Sequence, residues 1–340
     1  MLFFQSLNSS LSEQSDKRND IPIPSFEQTF FSNSNNNKET DSSFHSSLNE
    51  GKLSLKNILT SLSNQKATMS LQKSLQKMNT IELDDFIQEL KGNFISIIND
   101  KNGNYLCSDL FKKCTVKQRI EIINELFPFI PEISISEYGT HPIQTLIELI
   151  ETIEESSFFI NVFSNEQNIL KASLNSNGAY VIQKLIMKVP ELRRVNFNFF
   201  IIKLLPVLAK DMYGVCTLKK FVFVAENLFY ICSIVQQTLN HFEDIATNQY
   251  GNYLIQYIMK VWWKQKEIYL MKIYVEKYFM FLITNRYSSH IVDSYIKMIS
   301  MEKKKKLFNS ILLNNEMYNS LTQSKYANCV IVKLMNSVKE

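Results

Sequence analysis

Apolar residues recur at three- and four-residue spacing almost without pause from about Lys52 onward, and no stretch alternates apolar with polar. The pattern predicts amphipathic helices throughout and no strands. Residues 1–52 break it. Ser and Asn dominate there (SLNSSLSEQS, FSNSNNNKE, DSSFHSSLNE), and so little apolar surface cannot offset the entropy of ordering a chain. The expected organisation is a disordered tail over 1–52 and a helical domain over 53–340.

That helical domain repeats itself. NGNYLCSDL (102–110), YGTHPIQTL (138–146), NGAYVIQKL (177–185), YGVCTLKKF (213–221) and YGNYLIQYI (250–258) share one pattern, with glycines at 103, 139, 178, 214 and 251. The spacing of 36 to 39 residues extends forward to YSSHIVDSY (287–295) and YANCVIVKL (326–334), and backward to KATMSLQKS (66–74). Ser288, Ala327 and Ala67 stand there in place of glycine. Eight units therefore fill the domain. Three residues before each glycine position stand Asn64, Asp100, Ser136, Asn175, Asp211, Asn248, Asn285 and Ser324. All eight are side chains that accept hydrogen bonds from the free N–H groups of a first helical turn, so each unit is expected to open a helix at that cap. With Ala and Ser tolerated, the glycine position calls for a small side chain at a close approach, not for positive φ.

The same register places a distinctive trio on each capped helix. At about 100° per residue, the first, second and fifth residues after the glycine position share one arc, and the opposite arc is apolar. The trios are Thr68, Met69, Gln72; Asn104, Tyr105, Ser108; Thr140, His141, Gln144; Ala179, Tyr180, Gln183; Val215, Cys216, Lys219; Asn252, Tyr253, Gln256; Ser289, His290, Asp293; and Asn328, Cys329, Val332. A merely solvated face would be rich in Lys and Glu. Here hydrogen-bonding groups flank a flat or polarizable side chain, which suits a single-stranded nucleic acid, the central residue stacking on a base and its neighbours meeting the base edge. The Asn252–Gln256 pair can both donate and accept, as the uracil edge requires. Ser289 with Asp293 offers acceptors to the paired donors of guanine, whereas Lys219 can only donate and Val332 can do neither.

Composition removes alternatives. Only 7 of 340 residues are glycine, and no phosphate-binding glycine loop, dinucleotide fingerprint or nucleophile elbow occurs. The five cysteines and four histidines form no metal-ligand spacing, so reduced thiols, no metal and no cofactor are expected. The net charge of +4 argues against a partner gripped mainly through its phosphates. No 18-residue apolar run exists to span a membrane, and the opening MLFFQSLNSS has neither the basic start nor the long apolar core of a secretory leader. Nothing assembles a nucleophile, a base and an orienting group, so no enzyme is expected. Trp262 and Trp263 are expected in packing, and Lys303–Lys306 at a solvated turn or helix start.

At these residues the chain resembles the Pumilio (PUF) family of RNA-binding proteins, over about Leu53 to Glu340. The order of units matches as well, with GTHPIQ third, GNYLIQ sixth and SSHIVD seventh. The resemblance implies an all-α, right-handed crescent-shaped solenoid of eight three-helix repeats, with single-stranded RNA along the concave face and one base per repeat. RNA runs antiparallel in that family, so the eighth unit would meet the 5′ base. Asn252, Tyr253 and Gln256 match the uracil set in full. Ser289, His290 and Asp293 match the guanine set with Asp in place of Glu. Asn328 keeps half a uracil reader, Asn104 with Ser108 is a shortened one, and Thr140–Gln144, Thr68–Gln72 and Ala179–Gln183 approach the adenine pair. Val215 with Lys219 departs from every set. The implied target is 5′-UGU followed by an A/U-rich stretch in a messenger 3′ untranslated region. The implied role is that of a cytoplasmic, monomeric regulator of translation or decay, with repressor or deadenylase proteins on the convex face. Two other readings remain open: a scaffold for protein partners, and a nucleolar relative that binds structured RNA without sequence preference.

Overall fold

The computed structural model describes residues 54–314, 319, 321 and 323–339. The tail expected at 1–52 lies outside them. Among the described residues the chain forms α-helices and short 3-10 turns, with no strand.

Eight helices start in the register that the caps predict: α1 (Gln65–Lys77), α2 (Gly103–Lys113), α3 (Thr140–Glu148), α4 (Gly178–Lys188), α5 (Met212–Val224), α6 (Gly251–Trp262), α7 (Ser289–Met298) and α8 (Lys325–Lys339). Every one of the eight cap side chains accepts a backbone N–H. Asp100, Asn175, Asp211, Asn248 and Asn285 each take two, at 2.8–3.3 Å. Asn64 takes the amide of Lys66 at 2.9 Å, Ser136 that of Gly139 at 3.0 Å and Ser324 that of Ala327 at 3.4 Å.

The glycine position is a close approach, as its tolerance of Ala and Ser implied. A Cβ at Gly103, Gly178, Gly214 or Gly251 would lie 2.3–2.6 Å from the carbonyl oxygen six residues earlier. Among the described glycines, positive φ occurs only at Gly92, a turn glycine. At Ser288 the hydroxyl donates to the corresponding carbonyl, that of Leu282, at 2.7 Å.

From α1 to α7, each capped helix is part of a trio. A short leading helix precedes it, such as Phe94–Ile98 before α2 or Phe242–Thr247 before α6, and an outer helix follows, such as Val116–Leu126 or Tyr269–Lys277. The capped helices pack in sequence, α1 on α2 through to α7 on α8. Their apolar arcs supply the buried core between the two rows, including Leu106, Leu110, Ile143, Ile147, Ile182, Leu185, Ile255 and Ile258. Three outer helices open with capping boxes at Asn79/Glu82, Thr115/Gln118 and Thr152/Glu155. Trp262 is buried at the end of α6, and Trp263 meets Tyr295 of α7 edge-on at 5.9 Å, so both tryptophans pack. Lys303–Lys306 lie in the first turns of the helix Met301–Leu313, where Lys303 pairs with Glu276 and Lys306 with Glu302.

Candidate nucleic-acid interface

Consecutive packing of α1 to α8 sets the predicted trios side by side in one row. The second member of each is accessible: Met69, Tyr105, His141, His290 and Cys329 are exposed, and Tyr180, Cys216 and Tyr253 are half-buried. Partial desolvation of the ring, with the Lys184 charge nearby, holds the His141 imidazole below its ordinary pKa. It is therefore a neutral ring at pH 7, suited to stacking. Burial raises the Cys216 thiol, and the buried Cys114 is pushed up to about 12, so neither is a reactive thiolate.

The first member departs from expectation. A helical wheel puts it on the presented arc, yet Thr68, Asn104, Thr140, Ala179, Val215, Asn252 and Ser289 are all 7% exposed or less. Asn328 alone among them is half-buried. The cause is lateral packing, because this position faces the flanking backbone. Thr140 Oγ1 donates to the Asn177 carbonyl of the next unit at 3.3 Å. The Asn252 amide donates to the carbonyls of Asn248 and Gln249, both at 3.0 Å. On α3 and α6 the third member hydrogen-bonds the first. Gln72, Ser108, Gln144, Lys219, Gln256, Asp293 and Val332 are half-buried, and Gln183 is buried.

Hydrogen bonding differs from unit to unit. On α6, Gln256 Nε2 donates to Asn252 Oδ1 at 2.8 Å and to the Asn252 carbonyl at 3.3 Å, and lone pairs on both side-chain oxygens remain for a ligand edge. On α3, Gln144 Nε2 donates to Thr140 Oγ1 at 3.0 Å. On α2 the Asn104 amide nitrogen bonds two backbone carbonyls. Ser108 is too short to cover its oxygen, and the buried Asn104 Oδ1 has no protein partner. On α7, Ser289 Oγ gives its proton to the Arg286 carbonyl at 3.1 Å, leaving its oxygen as an acceptor. The Asp293 carboxylate lies between Lys333 at 2.9 Å and Lys297 at 3.1 Å. Burial alone would raise its pKa, but these two ammonium groups outweigh burial and hold it below the usual carboxylate value. Beside the His290 ring, the Ser289–Asp293 pair thus presents acceptors only.

On α5, Lys219 sits with its ammonium 5.1 Å from the centre of the Tyr257 ring. Burial lowers its pKa, and the neighbouring Val215 is buried and apolar. One set of contacts links neighbouring units. Asp109, Tyr257, Ser294 and Lys333, each one residue after a third member, touch the third member of the unit before. Among the described residues no cluster of His, Cys, Asp or Glu could hold a metal ion, and no helix is long and apolar enough to cross a membrane.

The Pumilio-family RNA binding repeat matches residues 93–127, 168–194 and 241–261. A Pumilio domain-containing protein of Schizosaccharomyces pombe is 26% identical over 302 residues, 88% of this chain and 44% of that protein. The suppressor protein MPT5 of Saccharomyces cerevisiae is 27% identical over 241 residues, 67% of this chain and 27% of that protein. The chain carries Pumilio-family RNA binding repeats in these three segments and is similar to Pumilio proteins over most of its length. It spans less than half the length of these relatives. The RNA-binding domain of yeast Puf5p bound to SMX2 RNA superposes with a TM-score of 0.72 at 22% identity, covering 84% of each chain. The Puf4 RNA binding domain bound to HO endonuclease RNA gives 0.71 at 22% identity, covering 82% of this chain and 87% of that one. At that identity the likeness is one of fold, and the Pumilio solenoid is the architecture described above. The matched segments fall in units two, four and six, while the caps and trios of units three, five and seven keep the same geometry.

Proposed function

We propose that the domain over 53–340 binds single-stranded RNA by sequence, one base per unit, with the eighth unit at the 5′ end. The observation that carries this is the accessible flat or polarizable side chain at one address on eight successive helices, each with hydrogen-bonding or shape-setting neighbours one turn away. A base stacked at such an address is worth roughly 1–3 kcal/mol by alanine substitution. The buried Asn104 Oδ1 without a protein partner supports the reading further, since a donor on a base edge would satisfy it. Tyr253, Asn252 and Gln256 read uracil at the third base, and His290, Ser289 and Asp293 read guanine at the second. Among relatives and neighbours, Puf5p and Puf4 are RNA-bound, and we carry that partner over to this chain. The proposed target is a 5′-UGU element in a messenger 3′ untranslated region, and the proposed role is non-catalytic, cytoplasmic control of translation or decay.

Binding to a UGU-containing single strand, its UCU variant and an unrelated duplex tests the reading. The UGU strand is expected to bind about five- to 150-fold more tightly than the UCU strand, since a wrong base costs about 1–3 kcal/mol. Equal affinity for the two would show a binder without sequence preference, and preference for the duplex would point to structured RNA. Absence of RNA binding would leave a scaffold for proteins.

A further inference from the structure

The third member of each trio does not stand alone. Gln72 Nε2 donates to Asp109 Oδ2 at 2.6 Å, from α1 to α2. The Lys219 ammonium on α5 faces the Tyr257 ring of α6 at 5.1 Å. Gln256 Oε1 on α6 accepts from Ser294 Oγ of α7 at 2.8 Å. Asp293 Oδ1 on α7 pairs with Lys333 Nζ of α8 at 2.9 Å. At these four junctions the partner holds the same address, one residue past the third member of the following unit. The chemistry of each partner suits the group it holds: a carboxylate for an amide N–H, a ring face for an ammonium, a hydroxyl for an amide oxygen and an ammonium for a carboxylate.

Resting on the RNA reading above, we infer that this address carries positioning residues, so that the base chosen by one unit depends on a side chain of the next. Unit six shows why. Gln256 is held at both ends, its nitrogen on Asn252 and its oxygen on Ser294. A base edge that engages the Asn252 side-chain oxygen competes with the first contact, and an amide whose last torsion is soft and nearly two-fold is then held by the 2.8 Å bond from Ser294 and the longer 3.3 Å contact of Nε2 with the Asn252 carbonyl. Ser294 keeps the oxygen turned toward α7 and the N–H groups toward the base. Lys333 holds Asp293 Oδ1 from α8 while Lys297 holds Oδ2 from α7 itself, so the carboxylate is fixed and its remaining lone pairs are the acceptors a base edge can use.

The test uses the full chain and a set of short RNAs opening 5′-UGU, with every base substituted in turn at the second and third places. The parent protein is measured first. Absence of uracil preference at the third base there would remove both the RNA reading and this inference. With that preference present, Ser294→Ala is expected to cut it about three- to tenfold, the worth of one hydrogen bond. Guanine preference at the second base, read by Ser294's own unit, stays unchanged. Ser294→Thr, which keeps the hydroxyl, restores the third-base preference. Lys333→Met is expected to weaken guanine preference at the second base and leave the first untouched. Unchanged third-base preference in Ser294→Ala would overturn the inference, as would a loss confined to the second base or a uniform loss for all four bases.

Discussion

At the residue scale, the glycine position offers a case in which two effects have opposite signs. Glycine in a helix costs about 0.5–1 kcal/mol relative to alanine, so propensity alone says that Gly214→Ala stabilises. The structure says otherwise, because a Cβ there would meet Leu208 backbone atoms, the oxygen at 2.4 Å and the Cα at 2.8 Å. Neither atom is the end of a flexible side chain, so relief requires moving the leading helix Leu205–Leu208 against α5. Overpacking of that kind costs about 1–3 kcal/mol. Gly214→Ala is therefore expected to lower the urea midpoint with little change in slope. A midpoint at or above the parent's would mean that close approach is not what selects glycine. The sequence carried half of this argument: Ala67, Ser288 and Ala327 pointed to size instead of dihedral angle. Which atom the glycine approaches was not legible, since the carbonyl lies in a separate helix whose placement depends on the fold.

At the scale of the element, the caps were fully legible and the reading face only partly so. A cap is local chemistry, one acceptor meeting N–H groups two or three residues on, and sequence register is enough to find it. Asn248 illustrates the energy involved, holding the amides of Tyr250 and Gly251 at 2.8 and 3.0 Å. Asn248→Ala is expected to cost about 1 kcal/mol, and Asn248→Asp only a few tenths. Thermal or urea unfolding of the two variants checks the order, and a free alanine substitution would remove the cap as the reason for Asn, Asp or Ser at this address. The burial of the first trio members escaped the sequence because a helical wheel shows only a regular helix, whereas Thr140 meets the backbone of the next unit, Asn252 folds back on the opening turn of its own, and both are bonded by their third members. The positioning contacts escaped for a related reason. Gln256 and Ser294 are 38 residues apart, and only the stacking of α6 on α7 brings them together. The outer-helix capping boxes at Asn79, Thr115 and Thr152 were readable in principle from an acceptor followed three residues later by Glu or Gln.

Across the whole repeat domain, the units share a backbone plan but not their couplings, as expected where stability is a sum over units and nearest-neighbour interfaces. Between units two and three the buried Arg119 pairs with Glu155 at 2.7 Å and also bonds the Cys114 carbonyl. At the corresponding place in unit four, the buried Arg194 bonds the Val189 carbonyl and Asn198 and lies 5.6 Å from the Phe221 ring centre. Burial lowers its pKa to about 10, so it remains charged at neutral pH. The same unevenness governs charge along the trio row. Lys184 is paired with Glu148, Lys297 and Lys333 with Asp293, and Lys219 faces a ring. Cations already engaged within the protein have less to offer to phosphates, and the chain's net charge is only +4. Single-strand binding loses about 0.7 in the slope of log affinity on log salt for each phosphate neutralised. If stacking and base edges supply most of the affinity, the slope for a UGU strand is expected to be shallower than about −4, the value for roughly six phosphates. Titration across 50–200 mM salt, at about the range where counterion release dominates, measures it directly. A slope near −8 to −10, like that of a protein gripping a duplex by its backbone, would place the energy in phosphates and take it away from the trios.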